Sequence, residues 1–390
     1  MIRGDLQKIG AIVLSVLPAV TAIVTPGIGL HSGSASATPP SVEETAKQRL
    51  VSAFGNTFAV AESAHFALAT DVEPEAVSEL LACLEMTYER VEHFCRRYEL
   101  PVTTLSRRLE VVCFKDRADF DRIAAPLVPN VTRISGLYDR HARRSYFHYT
   151  AGGDGIAEFR SAIGKRLKRP SPADDSPEDR ATGAVGRATP DETGSGVHST
   201  PYALRAEVDK LERRLVRITV QHEAAHQVLD HLCPALAARM PDWLSEGLAC
   251  SFEALPEAGP DAYLAYNHWR AADARRCWMV EQTVEPGDRS VDGRPHEVDH
   301  LAGLRAIRDA LTGGGDQHDH NVNSVERYAV AWAIVFYLQN EKPRAFRRYL
   351  QDVTSSRSGD TASDRARVWD EHFGAIDQTL ARSVYATIDR

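Results

Sequence analysis

VQHEAAHQVLDHL, residues 220–232, places three histidines, a glutamate and an aspartate in an otherwise apolar run. The surrounding pattern predicts one long helix over 204–231. Leu211, Leu215, Ile218, Ala225 and Leu229 recur at helical spacing and make an apolar stripe, so this helix is expected to lie against a core. Residues four apart share a helix face. His222 and His226 therefore point the same way, and both imidazoles can reach one metal ion. Glu223 is turned by about 100° and stays close enough to hold a water beside that ion.

Two ligands and a base on one turn are the HExxH arrangement of zinc peptidases. The motif alone does not carry the case. With 15 His in 390 residues, a chance match arises in about 4% of such chains. Catalytic zinc needs a third protein ligand and an open fourth position. The metzincin layout wants Gly seven and His ten residues after the first ligand. Leu229 and Leu232 stand there, and His231 is one position off, so that layout fails.

The other layout places a glutamate on the next helix. PDWLSEGLACSFEAL, residues 241–255, supplies one. Pro241 can open the helix, and Glu246 sits among Trp243, Leu244, Leu248 and Ala249. A carboxylate so placed is exposed, paired or a ligand, and we read it as the ligand. Gly247 and Ala249 are small and are expected to let this helix approach the first closely. Glu253 lies two turns on, as backup ligand or as a partner supporting one.

HEAAH at 222–226 followed by WLSEGLA at 243–249 resembles the gluzincin peptidases, in the peptidase-MA-like group. Within that group the chain is most similar to a largely uncharacterised, planctomycete-rich bacterial family of exported peptidases. SAHFALATD at 63–71, SGLYDR at 135–140 and YAVAWAIVFYL at 328–338 are weaker landmarks of the same likeness. It covers roughly 56–388, apart from 165–200. The resemblance implies zinc held by His222, His226 and Glu246, with Glu223 as the general base that takes a proton from water in peptide hydrolysis. It also implies a Tyr or His from a later helix as oxyanion donor, for which Tyr328 is the candidate; the plainer reading is that Tyr328 packs at a helix start. One position departs from the pattern. Many gluzincins carry an acidic residue four positions after the glutamate ligand, where this chain has Cys250. Support for the ligand histidines is then expected from Glu253 or Asp230.

The rest of the chain sets the frame. Arg3 and Lys8 precede an uncharged apolar run from Ile9 to Val24, and Ala35-Ser36-Ala37 closes a small polar stretch. Residues 1–37 therefore read as a secretory signal peptide, or failing cleavage a membrane anchor. Either way an exported location is expected: periplasmic, cell envelope or secreted. The net charge of −8 argues against a nucleic-acid partner. A peptide or protein substrate is expected, and a membrane only through an uncleaved N-terminus. The six cysteines, Cys83, Cys95, Cys113, Cys233, Cys250 and Cys277, are too sparse for a disulfide scaffold. Cys83 and Cys95 share one predicted helix about 18 Å apart, too far to bridge to each other. Small buried hydrophobes are the default reading.

Residues 41–162 read as α+β: helices at 42–54, 74–98 and over DRADFDRIA, strands at 56–70, 109–114, 134–139 and 145–150. Residues 163–203 are rich in Pro, Gly, Ser and charge and read as a disordered insertion. Residues 204–390 read as mainly helical, with helices at 204–231, 241–255, 261–281, 298–312, 324–340, 342–354 and 364–388. The fold class is α+β, a small mixed α/β half followed by a mainly helical half that the resemblance makes zincin-like. The later Ala/Leu-rich helices are expected to pack in solenoid-like fashion. Arg140, Arg143 and Arg144 read as a solvated turn, GKRLKRP at 164–170 as a solvated linker edge, and His296, His300, His318 and His320 as loop residues. The rival function is a zinc-stabilised, non-catalytic exported binding domain.

Overall fold

The computed structural model describes residues 45–128, 131, 134–149, 201–254, 265–279, 298–312, 324–355 and 362–389. The expected signal peptide, GKRLKRP, residues 163–200 of the expected insertion, and His296, His318 and His320 lie outside these.

The N-terminal half is a small mixed sheet with helices. Helix α1 (Ala46–Phe54) opens with a capping box in which Thr45 and Gln48 bond each other reciprocally. Strands β1 (Ala59–Glu62) and β2 (Phe66–Thr70) follow, then α2 (Pro74–Arg97), β3 (Leu109–Phe114), α3 (Arg117–Ala124), β4 (Gly136–Asp139) and β5 (Arg144–His148). The five strands run in the order β1-β2-β3-β5-β4. The β2-β3-β5 centre is parallel and both edges are antiparallel.

The single strand expected over 56–70 is a hairpin instead. Ser63 N–H donates to Phe66 O at 2.9 Å, and the turn residue His65 is held by Glu85 of α2 through its N–H (2.8 Å) and its ring (2.6 Å). An alternating pattern does not show such a reversal, because its cause is a partner on a later helix.

Strands β2, β3 and β4 bury both faces, as does β5 beyond Arg144, while β1 is exposed or half-buried. Phe66, Leu68, Leu109, Val111, Cys113 and Phe147 face α2 and the helical half, while Ala67, Ala69, Val112, Phe114 and Tyr146 face α1 and α3. That is the two-residue alternation of a strand with a helix layer on each side.

Helix α4 (Pro201–Leu232) lies across β4 and β5. Its polar residues below the motif fasten it to the sheet. Gln227 donates to Glu110 O (2.9 Å) and Arg143 O (3.1 Å) and accepts from Ser145 Oγ (3.0 Å). Asp230 accepts from Tyr138 OH at 2.8 Å and pairs with Arg140 at 3.1 Å. Arg144 bonds Glu110 at 3.0 Å. The arginine group is therefore no simple solvated turn: only Arg143, in a left-handed conformation (φ 54°), is exposed there.

Short α5 (Pro234–Ala237) leads to α6 (Asp242–Phe252), which is almost entirely buried. Arg90 of α2 donates to Phe252 O (2.6 Å) and Ser251 O (3.3 Å), satisfying carbonyls at the end of α6. Then come α7 (His268–Arg276), α8 (His300–Thr312), α9 (Ser324–Glu341), α10 (Pro343–Ser355), α11 (Ala362–Phe373) and α12 (Gln378–Ile388). The helix expected over 364–388 breaks at Gly374 (φ 82°), and Asp377 caps the new start by accepting from Leu380 N–H at 3.0 Å. The later helices do not stack in series. They surround α9, whose Ala329–Val335 stretch is buried on every side and which touches α6, α7, α8, α10 and α12.

Gly247 serves that arrangement. A methyl there would come within 2.5 Å of Ala331 O and 2.6 Å of Val335, both on α9. The small residue admits α9, not the metal-motif helix its sequence position suggested. Gly247→Ala should force α6 away from α9, because the obstacle is backbone. We expect a loss of about 1–3 kcal/mol, read as a lower midpoint in urea. An unchanged midpoint would show that the two helices are not in this contact.

Candidate metal centre

The helical register brings the motif together as the sequence predicts. His222 and Glu223 are fully buried and His226 is 3% exposed. Helix α6 presents Glu246 to them. Glu246 Oε2 lies 3.1 Å from His222 Nε2 and 3.6 Å from His226 Nε2, and the two Nε2 atoms are 3.2 Å apart. A tetrahedral ion with metal–nitrogen distances of about 2.0–2.1 Å has ligand–ligand edges of about 3.3–3.4 Å. The three atoms match one face of such a tetrahedron. They make a cluster that could hold a metal ion.

Each histidine is oriented from behind. His222 Nδ1 lies 2.8 Å from Glu253 Oε1. Glu253 is fixed in turn by Arg270, whose Nε and Nη2 donate at 2.9 and 2.7 Å, and by Asn267 Nδ2 at 2.9 Å. His226 Nδ1 lies 3.3 Å from Ser245 Oγ. Metal-binding histidines are ordinarily held this way. Glu253 thus stands against the remote nitrogen of His222, where it is placed to orient a candidate ligand rather than to replace it. Cys250, in the position the likeness reserves for an acid, keeps its sulfur 3.9 Å from the same nitrogen. His222, Cys250 and Glu253 form a second potential metal-binding group, but Arg270 occupies both oxygens of Glu253. Asp230 does not support either histidine, since Tyr138 and Arg140 engage it on the sheet side. His231 turns back to Gln227 O at 2.8 Å and plays no part. His300 begins α8 and packs its ring on Tyr385.

Charge is concentrated here. Burial works to lower the His222 pKa, but hydrogen bonds with Cys250, Glu246 and Glu253 outweigh it and hold the imidazole well above its usual range. Burial would raise both carboxyls; His226 and His222 pull Glu246 down to about 2, and Arg270 and His222 pull Glu253 down to about 2. Tyr328 of α9 stands beside the cluster. Its ring centroid is 6.1 Å from that of His222, with Arg270 Cζ 5.8 Å from the same ring. Burial, followed by the carboxylates Glu246 and Glu223, raises its pKa well above the usual value. The phenol keeps its proton. Gly136 on edge strand β4 touches the other side of the motif: a methyl there would meet Thr219 at 2.7 Å and the Glu223 side chain at 3.0 Å.

Ser245, Asn267, Arg270 and Gly136 escaped the sequence reading. Ser245 adjoins Glu246 but no spacing rule singles it out. Asn267 and Arg270 act from a helix whose approach only the fold reveals.

The fold and site define a buried two-histidine, one-glutamate centre between a sheet-packed helix and a core helix. A family model described as protein of unknown function (DUF1570) matches residues 217–359, a span containing all three of those residues with Glu223, Glu253, Arg270 and Tyr328. No curated protein and no solved structure matches the chain.

Proposed function

We propose that the protein is an exported zinc peptidase of the gluzincin type. The observation that carries this reading is the joint placement of His222 Nε2, His226 Nε2 and Glu246 Oε2 within 3.6 Å of one another, with Glu223 on the same helical turn. Imidazole, imidazole and carboxylate are a donor set that zinc favours in catalytic sites. Bound there, zinc would supply Lewis acidity toward a peptide carbonyl and toward water.

The chain's own groups do the rest. Glu223 accepts the proton of the attacking water and passes it to the leaving amine. Tyr328, kept protonated, donates to the oxygen that becomes negative. Glu253 and Ser245 fix the ring planes of His222 and His226. A non-catalytic metal domain would have no use for an acid at Glu223, so we favour the enzyme.

Metal analysis tests the reading. The purified protein should carry one zinc per chain after reconstitution, and His226→Ala should carry close to none. Wild type that holds no zinc would end the proposal. A proton count gives a second check. Hydrogen bonds with Cys250, Glu246 and Glu253 favour a protonated His222 in the metal-free protein, and a metal ligand must give that proton up. Zinc loading at pH 7 should therefore release about one proton, and affinity should fall as pH is lowered. Calorimetry in buffers of different ionisation heat reads this directly; zinc uptake without proton release would contradict the charge state.

A further inference from the structure

The cysteines that the sequence leaves as inert hydrophobes are not all alike. Cys95, in the last turn of α2, and Cys233, between α4 and α5, place their sulfurs 3.1 Å apart. Both are buried, at 0% and 1% exposure. The residues are 138 apart in the chain, so no local geometry forces the meeting. The other cysteines have different company. Cys83 donates to Arg217 O, Cys277 to Asp273 O, and Cys250 faces His222. Cys113 is buried in the sheet centre.

The backbone around the pair is already fixed. Thr103 N–H donates to Leu232 O at 2.7 Å, and Leu100 N–H to Cys95 O at 2.9 Å. The chain leaving α2 is thus pinned to the residue before Cys233. Closing from 3.1 Å to a bond of about 2.05 Å requires a movement of about 1 Å. A metal site is a poor alternative, since among the described residues neither cysteine joins a potential metal-binding group.

We infer that Cys95 and Cys233 form a disulfide when the chain folds in an oxidising compartment. In the still-open chain either cysteine can react first, and the product is the same with Cys233 as the first nucleophile. Its thiolate attacks a low-molecular-weight disulfide such as glutathione disulfide, giving a mixed disulfide and one glutathione thiolate. Cys95 loses its proton, attacks the Cys233 sulfur and expels the second glutathione. Two protons leave the protein and two electrons pass to the oxidant. Burial closes both sulfurs to the oxidant in the finished fold, so the exchange belongs to folding. The bond ties α2 to the far end of the metal-motif helix, seven residues after His226.

Full-length protein refolded in a glutathione redox buffer, alkylated under denaturing conditions and digested, tests this by mass spectrometry. The expected product is one linked peptide pair joining Cys95 to Cys233, two hydrogens lighter than the separate peptides, with the other cysteines alkylated. The oxidised protein should melt about 10 °C above the reduced one. Cys95→Ala/Cys233→Ala should show no redox dependence of Tm. Alkylation of all six cysteines, or a link between any other pair, would overturn the inference. The peptide map of the wild type decides the matter even if the double variant fails to fold.

Discussion

Glu223→Gln should abolish peptide hydrolysis while leaving fold and zinc intact. The substitution keeps the size of the side chain and its packing against Gly136 of β4. It removes the one property a general base needs, a basic lone pair. Losing such a group typically lowers the rate by about 10²–10⁴-fold, and the upper end is expected because Glu223 is the only carboxylate on the motif turn. The measurements are kcat/KM on an unstructured protein substrate or peptide library and zinc stoichiometry on the same preparation. Full activity in the variant would remove Glu223 from the mechanism. Lost zinc would mean that Glu223 also shapes the metal site.

Glu253→Ala should have the largest effect on the site's architecture. Arg270 is 3% exposed, and Glu253 meets it with both oxygens. Deleting the carboxylate leaves a buried guanidinium without its main partner, a change that costs about 3–5 kcal/mol. It also releases His222 Nδ1, and loss of such an orienting partner costs about 10–100-fold in metal affinity. Urea unfolding of the metal-free protein reads the first effect, and competition with a chelator the second. Stability that falls with zinc affinity unchanged would reduce Glu253 to a structural role. Glu253→Gln, which restores one acceptor for Arg270, should recover part of the stability and less of the affinity.

The candidate metal ligands were legible because their signal is local or chemically anomalous. His222, Glu223 and His226 lie within one turn, and Glu246 is a charge in an otherwise apolar turn. The partners behind them were not. Arg270 reaches Glu253 only because α6 and α7 both pack on α9, and no spacing in the chain encodes that arrangement. The same limit explains Asp230, whose carboxylate belongs to Tyr138 and Arg140 on β4 and its turn. It explains Gly247 too, which was correctly read as a close-approach residue and given the wrong neighbour. The sheet's strands were readable from alternation, apart from the reversal at Ser63–His65. The break at Gly374 was encoded locally, by a glycine followed by a capping aspartate, and a continuous helical period masked it.

The fastening of α4 to the sheet has a consequence for how the molecule could be taken apart. Gln227 is bonded to three residues of the N-terminal half, Tyr138 and Arg140 hold Asp230, and one continuous core runs from Phe66 and Phe147 through Val220 and Leu229 to Trp332. A single cut between residues 150 and 200 would separate the chain into two polypeptides, neither able to cover its own half of that core. They should remain together as a nicked, complementing pair that still binds metal, since every proposed ligand lies on the second piece and the sheet that braces its helix lies on the first.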